Sequence, residues 1–179
     1  MKLAAFGAVL ALVVSGPALA QAPAGPPPAG PTPVGPPRFA PPAPGPSAAA
    51  AVALAQAAVA ACSANGFKVT ALVVNSAGAP RVQISADGAP DLTLAIGTRK
   101  ANTTITFKEP SGVVGERSKS DPALADRIKN DPKLITFAGA EPLMAGGQMI
   151  GALSVSGAPG GDKDDACVKA AIAKVGALS

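Results

Sequence analysis

The sequence predicts a single α+β domain, an antiparallel sheet flanked by helices. Three observations lead there. Segments of helix-like and strand-like periodicity follow one another in the order α-β-β-α-α-β-β-β-α. Short turn signals, Ser76-Ala77-Gly78 and Gly146-Gly147, join successive strand segments, so hairpins suffice and parallel crossovers are not required. The region carrying these patterns, Ala48 to Ser179, has the length of one domain.

Taken in order, Ala48 to Ala64 is nearly all Ala, Val and Leu, which favours a helix, and Asn65-Gly66 supplies a left-handed stop. Phe67 to Val74 reads as a buried strand, and Arg81 to Ser85 alternates Val82 and Ile84 with polar neighbours as its hairpin partner. A helix is expected from Asp91 to about Phe107, with Leu92, Ala95 and Ile96 on its apolar face. The cluster Thr103-Thr104-Ile105-Thr106 leaves a strand open at its end. Glu109 to Ser120 is polar, contains glycine and reads as loop. Asp121-Pro122 sets an N-cap and a first-turn proline before a short helix to Lys129. Leu134 to Phe137 reads as a strand, Pro142 to Met144 and Met149 to Val155 as a hairpin, and Asp162 to Val175 as the last helix.

Ahead of the domain lie two segments of different character. Residues 1–20 read as a cleavable signal peptide: Lys2, an apolar run from Leu3 to Val14, and small residues Ala18 and Ala20 before Gln21. The run is too short for a spanning helix, so no stable membrane insertion is expected, and the protein is placed in the periplasm or secreted. Residues 21–47, with 12 prolines, lack hydrophobic periodicity and read as a disordered, proline-rich linker that tethers residues 48–179. Export bears on Cys62 and Cys167, the chain's two cysteines. In an oxidising compartment an even count favours a disulfide, the other reading being two buried thiols.

Composition excludes several functions. Without Lys2 and Arg38 the domain holds 13 basic against 11 acidic residues, and its aromatics are all Phe, which argues against nucleic acid as a partner. The chain has no His and no Tyr. This removes the commonest haem ligands, most zinc sites and every His-based triad, and leaves no recognisable catalytic constellation. A binder rather than an enzyme is therefore expected. Ile96, Lys100, Thr103 and Phe107 recur at intervals of four, three and four, placing a cation and a hydroxyl among apolar residues on one helix face. A solvated lysine beside a threonine bonded to the preceding turn is the simpler reading of the same pattern. Met144 and Met149 flank the Gly146-Gly147 turn, where Met144 is a candidate metal ligand and core packing the plainer role. Asp162, Asp164 and Asp165 fall in the first turn of the last helix and offset its dipole.

The stretch from Glu141 through Pro142-Leu143-Met144-Ala145-Gly146-Gly147-Gln148-Met149-Ile150 to Cys167 resembles the C-terminal signature of the GlcG/HbpS-like haem-binding family, also called the haem-degrading domain family. Val73-Val74-Asn75-Ser76-Ala77-Gly78 with Asp87-Gly88-Ala89, and Arg99-Lys100-Ala101-Asn102-Thr103, fit the same pattern. Asn75 stands where an Asp is common. The resemblance implies a profilin-like sheet, assembly into homo-oligomers and, for some members, haem as a bound cofactor. It places Lys100 and Thr103 at the ligand site, with Arg99 as a propionate partner and Phe107 on the same face. A haem or related tetrapyrrole is the expected ligand; the alternative is a non-enzymatic accessory protein that binds an exported protein partner.

Overall fold

The computed structural model describes residues 41–178; the segment read as a signal peptide and residues 21–40 of the linker lie outside the described residues. The described elements are helix α1 (Ala48–Ser63), strands β1 (Thr70–Asn75) and β2 (Pro80–Ser85), helices α2 (Leu92–Phe107), α3 (Ser111–Ser118) and α4 (Pro122–Asn130), strands β3 (Ala140–Ala145) and β4 (Gln148–Ser156), and helix α5 (Gly161–Val175). The strands form one antiparallel sheet in the order β2-β1-β4-β3, giving the α+β class that the sequence predicts.

All six residues of β1 are buried, because helices cover both faces of this central strand. Side chains alternate across a strand. Ala71 and Val73 accordingly join the cluster beneath α1 and α5, whereas Leu72 and Val74 join Ala101 of α2 on the opposite face. Helix α1 buries Ala51, Leu54, Ala55, Ala58 and Cys62 against α5 and the sheet, and the small side chains allow close approach. Cys62 and Cys167 are joined by a disulfide that staples α1 to α5 across 105 residues. In the chain-entropy account, a loop of that size contributes about 4 to 5 kcal/mol.

The last linker residues touch the domain. Pro46 is buried, Ser47 caps α1 by accepting from the Ala50 N–H, and Pro44 accepts a hydrogen bond from the Ser76 N–H at 2.8 Å. At the β1–β2 turn Asn75 Oδ1 accepts from the N–H groups of Ala77 and Ala79, so the amide makes the acceptor contacts a carboxylate would make there.

Three expectations are corrected. Glu109 to Ser120 is not all loop, since α3 occupies most of it. Its glycines, which signal a loop in the sequence, form instead a bare surface against the chain: a Cβ on Gly112 would lie 2.7 Å from Ala138 Cβ, and one on Gly115 would lie 2.6 Å from the Thr136 carbonyl oxygen. Leu134 to Phe137 is not a strand. Its backbone groups are satisfied by side chains rather than a ladder: Arg99 donates to Leu134 O, Thr103 Oγ1 donates to Ile135 O and accepts from Ile135 N, and Ser111 donates to Phe137 O. Finally, Leu92 and Ala95 of α2 are exposed. The buried face is the small and polar set Thr93, Gly97, Lys100, Ala101, Thr103 and Thr104. Hydroxyls tie it to the sheet, with Ser154 donating to Gly97 O at 2.9 Å and Thr104 to Ala140 O at 3.2 Å.

Candidate functional site

The first turn of α2 and the loop from β4 into α5 face each other across a cavity of about 500 Å³. Its walls are largely apolar, with Pro90, Leu92, Ile96 and Phe137, and its polar edge includes Thr93, Lys100, Ser156 and Asp164. Leu92 and Phe137 are 66% and 59% exposed, which is high for such residues and sets them at the mouth. Backbone geometry holds the far wall. Gly157 adopts φ +129°, and a Cβ there would stand 2.5 Å from Lys68 O, so only glycine fits.

Most polar groups at this edge already have partners. Thr93 Oγ1 lies 2.7 Å from Thr70 Oγ1 and donates to Pro90 O at 2.6 Å. Lys100 Nζ donates to Asp164 Oδ2 at 2.6 Å and to Val155 O at 3.0 Å, and the two charged side chains are 2% and 5% exposed. Asp164 Oδ1 accepts from the Ala158 N–H. Burial pulls the Lys100 amine below its ordinary value and pushes the Asp164 carboxyl above its own; each is opposed by the bond to the other. Gly139, at φ +116°, closes over the pair, since a Cβ would approach Lys100 Nζ to 2.9 Å and Asp164 Cβ to 2.6 Å. This ion pair thus bolts α2, β4 and α5 together.

A second cavity, of about 570 Å³, lies on the other side of Phe137, between α3 and α5. Glu141 of β3 enters it with Asp165 and Lys169 of α5. Lys169 Nζ is 2.7 Å from Asp165 Oδ2 and 3.6 Å from Glu141 Oε1. Burial first, and the Asp165 charge second, raise the Glu141 carboxyl to about 7.

Of the residues singled out in the sequence, Lys100 lines the first cavity, though its amine is engaged. Thr103 and Arg99 turn to the 134–135 backbone, and the Arg99 Nε is buried without a hydrogen-bond partner among the described residues. Phe107 lies 4.9 Å beneath the Arg127 guanidinium. Met144 is 48% exposed on the β3–β4 hairpin opposite Met149. Sequence reading missed Phe137 and the pairing of Lys100 with Asp164. The partners stand 64 residues apart, too far for any local spacing to join them.

A family profile described as haem degrading protein HbpS-like matches residues 47–173. The crystal structure of HbpS is 32% identical with a TM-score of 0.66, covering 73% of this chain and 89% of that one. A double glutamate-to-aspartate mutant of HbpS from Streptomyces reticuli is 30% identical with a TM-score of 0.69, covering 80% and 99%. The structure of a PduOC:haem complex, 23% identical with a TM-score of 0.68 over 74% and 96%, shares the fold. No curated protein sequence matches the chain.

Proposed function

The chain belongs to the HbpS-like haem degrading protein family, and from that premise we propose that it is an exported binder of haem or a related tetrapyrrole, held in the cavity between α2 and α5. The observation that carries this reading is the cavity's chemistry. About 500 Å³ of largely apolar space, with exposed Leu92 and Phe137 at its mouth, suits a flat apolar ligand. That the PduOC structure is a haem complex supports the choice.

The residues fit haem by contact rather than by strong ligation. Leu92, Ile96 and Phe137 would hold the macrocycle's faces and edge. Bound haem would supply redox-active iron. Lys100 and Asp164 neutralise each other, Thr93 is bonded twice, and the sequence offers neither His nor Tyr, so the described residues present no strong axial donor at this cavity. The complex should therefore exchange its ligand readily.

Titration of hemin into the full chain should give a saturable Soret change, weakened about tenfold by Phe137→Ala through lost ring contact. Absence of any saturable change would remove the reading. The signal-like sequence and the disulfide support export. Mass analysis of the native protein should find it beginning at Gln21, and an uncleaved chain in the cytoplasm would contradict this part. Homo-oligomer formation belongs to the same proposal and is tested by light scattering. Binding of an exported protein partner is a second reading, favoured by Leu92, Phe137 and Val113, which stay exposed around the two cavities. A partner on that face would compete with hemin.

A further inference from the structure

One wall serves both cavities. Phe137 lines each of them, and of two neighbouring residues near the start of α5, Asp164 faces one cavity and Asp165 the other. That turn is bedded directly on the chain leading into β3. A Cβ on Gly161 would lie 2.9 Å from Ala138 O, and one on Gly139 would lie 2.6 Å from Asp164 Cβ. Packing this close passes a shift of α5 against β3 to both sides of the wall.

Glu141 and Asp165 meet across this contact. Their side chains are 13% and 20% exposed, within hydrogen-bonding reach of each other, and one cation, Lys169, serves both carboxyls. Lys169 is 63% exposed and closer to Asp165, so it neutralises Glu141 poorly. Of the other charged groups described at this wall, Asp162 of α5 adds its negative charge beside Asp164, and the following are engaged. Glu116 and Lys119 of α3 bond each other at 2.7 Å, Lys100 of α2 is held by Asp164, and β4 carries no charged residue. Removing the proton that Glu141 and Asp165 can share leaves two carboxylates in contact and adds one negative charge in the second cavity, across the Phe137 wall from the ligand cavity.

We propose that Glu141 and Asp165 form a proton-operated latch on the ligand cavity: closed when they share a proton, and loosened, with weaker binding of an anionic tetrapyrrole, when the proton leaves. This rests on the binding reading given above. Burial and the Asp165 charge hold the Glu141 carboxyl at about 7, so the latch works around neutrality, within reach of the pH changes an exported protein meets.

The test is binding of iron-free protoporphyrin IX to the full chain at pH 6 and pH 8, compared with Glu141→Gln at each pH so that the ligand's own ionisation cancels. Wild type should lose about fivefold more affinity than the variant over this interval. Lys169→Met, a change at an exposed side chain, should move the wild-type midpoint to higher pH by removing the cation. Equal pH dependence in wild type and Glu141→Gln, or an unmoved midpoint in Lys169→Met, overturns the latch while leaving porphyrin binding intact. Absence of saturable binding by every protein at both pH values overturns the binding reading, and the latch with it.

Discussion

Lys100→Met separates a structural role from a ligand-contacting one. The substitution keeps much of the lysine's apolar length and leaves Asp164, 3% exposed, with the Ala158 N–H as its one remaining hydrogen-bond donor among the described residues. Breaking one side of a buried ion pair typically costs about 3 to 5 kcal/mol, because the surviving charge is neither solvated nor paired. For a domain of this size a loss of 1 kcal/mol lowers Tm by roughly 3 °C, so a fall of about 10 to 15 °C is expected. Adding Asp164→Leu should restore most of it, since two apolar groups replace two charges; the Ala158 N–H then lacks its acceptor and retains about 1 kcal/mol of the loss. The assays are thermal melting and urea unfolding of the full chain under oxidising conditions, with hemin titration of each variant while folded. If Lys100→Met unfolds within about 1 kcal/mol of wild type yet loses hemin binding, the bolt is the wrong description and Lys100 is a ligand group.

Other substitutions probe separate features. Glu141 is raised above its ordinary 4.5 in the folded state, so its stabilising contribution is present below about pH 4.5 and lost as pH rises through about 7. Glu141→Gln should match wild type at pH 4 and exceed it at pH 8 by on the order of 2 kcal/mol, read from urea midpoints; a variant less stable at pH 8 contradicts the assignment. Gly139→Ala combines a left-handed backbone with a collision at the Lys100–Asp164 pair, and a loss of more than about 2 kcal/mol in the same assay is expected. Replacing Cys62 and Cys167 together by Ser should cost about 4 kcal/mol, and a melting curve indifferent to both changes would count against the staple.

The fold was largely legible because its elements carry strong local signals. The alanine run of α1, the turn signals of the hairpins and Asp121-Pro122 before α4 each act within a few residues. What could not be read depends on contacts between distant segments. Helix α3 forms from Ser-Gly-Val-Val-Gly-Glu-Arg-Ser, a weak helix sequence, because Gly112 and Gly115 let the 136–138 backbone lie against it. The 134–137 run has strand-like residues but finds its hydrogen bonds in Arg99, Thr103 and Ser111. The α2 spacing singled out Lys100, yet its partner and its burial on the polar face were invisible to a helical periodicity that favoured Leu92, Ala95 and Ile96 as the inward set.

The same polar residues explain why the site reads as a binding cavity. A threonine-rich helix packed on a sheet must satisfy its hydroxyls, and here Thr70, Thr93, Thr103, Thr104, Ser111 and Ser154 are bonded to one another or to backbone carbonyls. Lys100 and Asp164 neutralise each other in the same layer. In this layer, chemistry that could ligate or transfer a proton is therefore consumed in positioning α2, which leaves Leu92, Ile96 and Phe137 to line the cavity. Selectivity at such a surface comes from shape and apolar contact, so affinity should follow the ligand's planar apolar area more closely than its central metal.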